Sequence, residues 1–270
     1  MMRVLALVAL VGCGRIDFGP HGLGGGGGGG GADAAPSDAS NVGLVAYWPM
    51  DEIMVGSSTN FTFDVIGGHT AQCTSGQCPT INPGVVGHAA TFDGNTTCMS
   101  VASMQGWADP TFTIAAWVQS STLSGPILVH ESVNGCPSPE ISLNKGAGLT
   151  QLNTTGTTPH NEAWTPDALI DGNWHHVAVA WDGTSQQVYV DGQCSCSITP
   201  SLGPLDNVQP LTVGCYPTGG ATHFSGSIDE LRVYNRVLSL DEIGSLYAVG
   251  GRAFPAQQPC TRACATAPPP

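Results

Sequence analysis

Positive charge is scarce in this chain. Seven Lys and Arg stand against twenty Asp and Glu, Lys145 is the one lysine, and the net charge is −13. A chain without a basic face offers nothing to a polyanion, which excludes nucleic acid and an anionic membrane surface as partners. Charge of either sign is sparse at 10% of residues, and most of the acids fall in turns, where Asp serves local backbone needs. Recognisable catalytic and metal motifs are missing too. There is no G-x-S-x-G, no H-E-x-x-H and no C-x-x-C zinc spacing.

What the chain has in quantity is turn chemistry between short apolar runs. Gly 37 and Pro 20 are high, and runs rich in Val, Ile, Thr, Phe and Trp alternate with Asp-Gly pairs beginning at Asp93, Asp171, Asp182 and Asp191. Such pairs supply the positive-φ positions of hairpins. Val188-Tyr189-Val190-Asp191-Gly192-Gln193-Cys194 is the clearest hairpin. A single all-β sandwich commonly runs to about 200–250 residues, so one core accounts for the length.

The segment 224–250 joins a strand to the one well-signalled helix. Counting in twos puts Asp229, Leu231 and Val233 on one face, with Glu230 and Arg232 on the other. Asp229 is then a carboxylate among apolar neighbours, and it needs a hydrogen-bond donor, a charge partner or a metal. Ser239 and Glu242 form a capping box, Leu240, Ile243, Leu246 and Tyr247 make one apolar stripe, and Gly250 stands where a C-terminal cap belongs. The pattern predicts a helix near residues 240–248.

The ends of the chain differ from its middle. Met1-Met2-Arg3 is a short basic start, Val4 to Leu10 is apolar but too short to span a bilayer, and Leu10-Val11-Gly12-Cys13 matches the bacterial lipobox. That match implies a signal peptide over 1–12, acylation of Cys13 and, with Gly14 following it, an outer-membrane lipoprotein of the cell envelope. Residues 13–41, rich in glycine, read as a flexible tether, 42–250 as the domain, and 251–270 as a Pro/Ala-rich tail that closes on itself if Cys260 and Cys264 pair. Setting Cys13 aside leaves nine cysteines, an odd number, so one is unpaired or intermolecular. Disulfide staples suit an exported chain. Cys194 and Cys196 share a strand face and are expected to reach Cys136, Cys98 or Cys215 rather than each other.

Six stretches occur in an order that resembles the laminin-G-like, concanavalin A-like jelly-roll domains. They are Leu44 to Glu52, Ala89 to Gly94, Phe112 to Val118, Trp174 to Ala178, Val188 to Gly192, and the strand and helix after Phe224. The resemblance implies an all-β fold of two antiparallel sheets with one short C-terminal helix. It also implies a structural calcium ion on Asp229, helped by Asp51, Asp93 or nearby carbonyls, whose oxygen chemistry suits a hard cation. The alternative for Asp229 is backbone N–H donors from a neighbouring loop. Glycan-cleaving relatives set carboxylates as E-x-D-x-E or E-x-D-x-x-E, and none of Glu52, Glu131, Glu140, Glu162, Glu230 and Glu242 sits in that pattern. His175-His176 reads as a packed, hydrogen-bonded part of the strand signature rather than a base. The expectation is therefore a non-catalytic module for an extracellular glycan or an envelope protein. Candidate contacts are the loop side chains Trp107, Trp164, His160 and Tyr216, with 161–166 expected as an exposed turn. The competing expectation is a structural or adhesion module without a small ligand.

Overall fold

The computed structural model describes residues 41–265 apart from 57–58, 67, 102–103, 105–110, 123–124, 131–137, 144–148, 154–160, 166–167, 200–209 and 217–221. The strands in chain order are β1 (Leu44–Trp48), β2 (Met54–Val55), β3 (Thr59–Thr62), β4 (Ala71–Thr74), β5 (Thr80–Pro83), β6 (His88–Asp93), β7 (Met99–Val101), β8 (Phe112–Gln119) and β9 (Pro126–His130). They continue with β10 (Ser138–Ser142), β11 (Leu149–Asn153), β12 (Asn161–Trp164), β13 (Trp174–Trp181), β14 (Gln186–Val190), β15 (Gln193–Ile198), β16 (Leu211–Val213) and β17 (Ser225–Tyr234), and α1 (Leu240–Ala248) follows. One sheet runs β15-β14-β13-β8-β17-β6-β5 with β1 also on β17, and the other runs β12-β11-β10-β9-β16-β7-β4-β3-β2. Every pairing between named strands is antiparallel. This is the two-sheet sandwich with one short helix that the sequence predicts.

The core lies between the sheets, as alternation requires. Ile114, Ala116 and Val118 of β8 and Val177 and Val179 of β13 meet Leu128, Ile141, Leu211 and Val213 of the other sheet. The opposite side of the first sheet is also covered, because α1 lays Ile243 and Leu246 over Ala115, Ala178, Ala180 and Tyr189. Ser239 and Glu242 form the expected capping box.

Counting in twos fails at one place on β17. Ile228 and Leu231 both enter the inter-sheet core although they are three residues apart. The cause is an irregularity between Asp229 and Arg232, with Glu230 at φ 54°. A bulge adds one residue and reverses the face of everything beyond it. Asp229 therefore does not share a face with Leu231 and Val233. It stands directly opposite Trp117, whose ring stacks on Tyr247 of α1 at 5.4 Å, on the helix side of the sheet.

Four disulfides occur among the described residues: Cys73–Cys78, Cys98–Cys215, Cys194–Cys260 and Cys196–Cys264. The tail is not closed on itself, because Cys260 and Cys264 each reach β15. Cys194 and Cys196 avoid one another as expected, yet their partners come from the C-terminal segment rather than from Cys98 or Cys215. Of the ten cysteines, Cys13 and Cys136 lie outside the described residues.

Candidate functional site

Asp229 and Asp51 come together around the turn that links β5 to β6. One oxygen of Asp229, Oδ2, accepts hydrogen bonds from the backbone N–H groups of Val85 (2.7 Å) and Val86 (3.1 Å). Asp51 Oδ1 accepts the N–H of His88 at 2.6 Å. The second oxygen of Asp229, Oδ1, is buried and has no hydrogen-bond partner. Burial pushes this carboxyl up to about 8, opposed by the Val86 and Val85 N–H groups and reinforced by the neighbouring Glu230 and Asp51 charges. Two carboxylates close enough to repel, one with an orphaned buried oxygen, form a donor set that suits a hard cation.

Asp93 does not join them. It lies opposite Ser225, four positions along β17 from Asp229 and so roughly 13 Å away at strand spacing. Its Oδ1 accepts the N–H groups of Asn95, Thr96 and Thr97, and its Oδ2 accepts the Thr96 hydroxyl. Partial burial raises this carboxyl, but the turn's hydrogen bonds outweigh it and hold the group well below the usual carboxylate range. Among the described residues no three His, Cys, Asp or Glu side chains are grouped for a metal.

The two histidines are packed and bonded in different ways. His176 is buried against Trp117, its ring 5.4 Å away, and burial, followed by the Arg232 charge, lowers its pKa to about 3. It is a neutral core residue. His175 faces a carboxylate at each ring nitrogen, Nδ1 to Asp191 Oδ2 at 3.0 Å and Nε2 to Asp171 Oδ1 at 3.1 Å. A neutral imidazole has one N–H, so only the imidazolium satisfies both contacts. Its pKa is raised, chiefly by the Asp191 hydrogen bond, with burial opposing. A raised folded-state pKa gives stability that is fully present below the unfolded value of about 6.5 and is lost as pH rises through the folded value. His175→Asn is thus expected to melt below the wild type at pH 5.5, by roughly 0.5–1 kcal/mol for a partly exposed clamp. The gap should close by pH 9, and a gap independent of pH would rule out the clamp.

Of the expected ligand contacts, Trp107 and His160 lie outside the described residues. Residues 161–164 are not a turn but strand β12, the edge of the nine-stranded sheet, where Trp164 is paired with Leu149. Tyr216 is half-buried and follows Cys215, whose disulfide to Cys98 ties it to the start of β7.

A surface that the loop aromatics do not suggest lies on the outer face of that same sheet. Met54 is opposite Phe61, Phe61 opposite Gln72, Gln72 opposite Ser100, Ser100 opposite Thr212 and Thr212 opposite Val129. The row continues through Glu140, Gln151 and Glu162. It crosses all nine strands, roughly 40 Å at the usual strand separation. Residues of the alternate row, Val101, Leu211, Leu128 and Ile141, belong to the core, which places the stretch from Met54 to Val129 on the opposite side of the sheet. Its middle positions Thr212 and Val129 are buried, whereas Gln72 and Ser100 are exposed. At the open end Phe61 and Phe63 meet edge to face with ring centroids 5.1 Å apart, and Phe63 is 49% exposed beside Met54 at 40%. The exposed Phe63 ring and the half-buried Phe61 ring, followed by amide and hydroxyl groups, form a surface on which a sugar ring can stack and be hydrogen-bonded.

A family model described as the concanavalin A-like lectin/glucanases superfamily matches residues 93–244. The Rattus norvegicus sushi, von Willebrand factor type A, EGF and pentraxin domain-containing protein 1 is 34% identical over 89 residues, 29% of this chain and 2% of that relative. The chain thus spans a small fraction of that relative's length. Among solved structures, the binding domain of Paraclostridial mosquitocidal protein 1 aligns with TM-score 0.60 and 16% identity, over 77% of this chain and 52% of that one. Domain 4 of an extracellular arabinanase from Geobacillus stearothermophilus, in complex with arabinotriose, aligns with TM-score 0.59 and 20% identity, over 76% of this chain and 98% of that one. Trypanosoma rangeli sialidase in complex with sialic acid aligns with TM-score 0.56 and 18% identity, over 76% of this chain and 33% of that one. At these identities the likeness shows the fold.

Proposed function

Because the chain belongs to the concanavalin A-like lectin/glucanases superfamily, whose fold serves both binding and cleavage, we propose that it is a non-catalytic module that binds an extracellular glycan on the outer face of its nine-stranded sheet. The observation that carries this reading is the register row whose open end holds the half-buried Phe61 against the exposed Phe63, beside Gln72 and Ser100. The arabinanase domain aligned over 98% of its own length supports it, since a comparable unit stands in complex with arabinotriose. Of the two acids nearest the family's C-terminal signature, Glu230 is held by Arg232 and Tyr47, and one oxygen of Asp229 is held by the turn at 84–88. The test is retention of the full chain on a panel of insoluble neutral polysaccharides, together with an assay for released reducing ends. Retention without release is expected. Turnover lost on replacing one Glu would reverse the reading.

In the same reading one calcium ion sits on Asp229 Oδ1 with Asp51 as its second carboxylate, and braces the 84–88 turn from within. A ligand at a hundred times its Kd contributes about 2.7 kcal/mol, or about 5–10 °C in a domain of this size. EGTA is expected to lower the melting temperature by that order in the wild type and to do nothing to Asp229→Asn. A wild-type melt indifferent to EGTA would remove calcium from the account. The export of the chain and its lipid anchor on Cys13 belong to this proposal as well. Four disulfides suit an oxidising compartment, and a flexible tether raises the effective concentration of a weak binder near its targets.

A further inference from the structure

β15 is the outermost strand of its sheet, and Gln193-Cys194-Ser195-Cys196-Ser197-Ile198 contains no charged residue and no proline. Charges and proline are the usual means by which an edge strand resists pairing with another chain. The opposite edge of the same sheet, β5, ends on Pro83. In their place β15 carries a strap made of residues 252–265.

The strap has a seat built for it. A Cβ at Gly192 would come within 2.8 Å of Pro255 Cγ, and one at Gly244 within 2.5 Å of Gln257 Nε2 and 2.9 Å of Phe254 Cζ. The Arg252 guanidinium lies 4.4 Å over the Trp117 ring, and Gln193 Nε2 donates to the Ala256 carbonyl at 3.1 Å. Along the edge itself, the Ser197 N–H donates to the Arg262 carbonyl at 2.8 Å and the Cys264 N–H donates to the Ser197 carbonyl at 2.9 Å, a short parallel bridge of Ser197 with Ala263. Cys194–Cys260 and Cys196–Cys264 fix both ends of this contact to β15.

We infer that the C-terminal strap is a thiol-operated edge guard: closed by its two disulfides it keeps the chain monomeric, and opened by a dithiol reductant it frees β15 to pair with β15 of a second copy. Each disulfide takes two electrons and two protons from one dithiol, which is itself oxidised to a disulfide, so opening consumes two dithiols and leaves four cysteine thiols. The strap is mostly exposed. Its two backbone hydrogen bonds, one side-chain hydrogen bond and the contacts of Arg252, Phe254, Pro255 and Gln257 do not offset the entropy of ordering a segment of this length, so without the covalent ties it detaches. The freed edge is uncharged and self-complementary, and antiparallel pairing about a two-fold axis joins two sheets into one.

The test compares the full wild-type chain with the variant Cys194→Ser, Cys196→Ser, Cys260→Ser, Cys264→Ser by sedimentation equilibrium and by amide exchange at positions 197 and 264. The wild type is expected to be monomeric and protected at both amides. The variant should exchange there at least a hundredfold faster and sediment as a dimer. Adding Ser197→Lys to that variant restores an edge defence and should return it to a monomer. Should the variant fail to fold, partial reduction of the folded wild type, with the opened disulfides mapped by mass, gives the same two readouts. A released strap on a chain that stays monomeric, or a dimer indifferent to Ser197→Lys, overturns the inference. So does a strap that stays protected after its disulfides are gone.

Discussion

Arg232→Ala is expected to lower the unfolding free energy by about 3–5 kcal/mol, the cost of leaving a buried charge without its partner. Arg232 and Glu230 are both buried, at 3% and 2% exposure, and their side chains form an ion pair. The same guanidinium lies 4.0 Å from the centroid of the Tyr47 ring, while the Tyr47 hydroxyl donates to Glu230 Oε1 at 2.5 Å. Burial alone would lower the Arg232 pKa, but Glu230 first, then Tyr47 and Tyr234, more than compensate and hold it raised. Alanine takes away the cation and keeps the carboxylate, along with the cavity. At about 2–4 °C per kcal/mol for a domain of this size, the melting temperature should fall by about 6–20 °C. The double variant Arg232→Met, Glu230→Gln removes both charges and should lose much less. If the double variant loses as much as the single one in denaturant unfolding, packing rather than the uncompensated carboxylate is responsible.

That ion pair also shows where sequence reasoning stops. Strand order along the chain, the single helix and its capping box were legible because alternation, Asp-Gly turns and the Ser239 to Glu242 spacing are local signals. The bulge was not, because Glu230 adopts φ 54° without being glycine or asparagine, and nothing in the spacing of apolar residues announces it. One added residue moved Asp229 to the other face of the sheet. The partners of Cys194 and Cys196 were hidden for a different reason: they come from 66 and 68 residues away, in a segment whose composition reads as a tail.

The candidate surface was obscured by an inverted pattern. In Thr59-Asn60-Phe61-Thr62-Phe63-Asp64 the polar side chains Thr62 and Asp64 are the buried ones, at 2% and 6% exposure, while Phe63 faces outward. Asp64 explains the inversion: its carboxylate accepts the N–H groups of Tyr47 at 2.7 Å, Ile66 at 2.9 Å and His69 at 3.1 Å, so the polar face is satisfied inside. A buried, fully bonded carboxylate can turn its aromatic neighbours out to water. Period-two counting with phenylalanine assigned inward gives the opposite answer.

Phe61 and Phe63 therefore carry the second large effect. Truncating an aromatic that anchors a ligand as a hot spot costs at least about 2 kcal/mol, about thirtyfold in affinity. Phe63 is 49% exposed and Phe61 is half-buried on the outer face, so truncating the pair should cost only modest folding stability. The direct measurement is the affinity of the double variant Phe61→Ala, Phe63→Ala for whichever neutral polysaccharide retains the wild type, read beside the melting curves of both proteins. A binding module on the outer face of the nine-stranded sheet predicts affinity reduced at least thirtyfold with a melting temperature within a few degrees of the wild type. Undiminished binding by the variant, or binding abolished instead by Trp164→Ala, would contradict it.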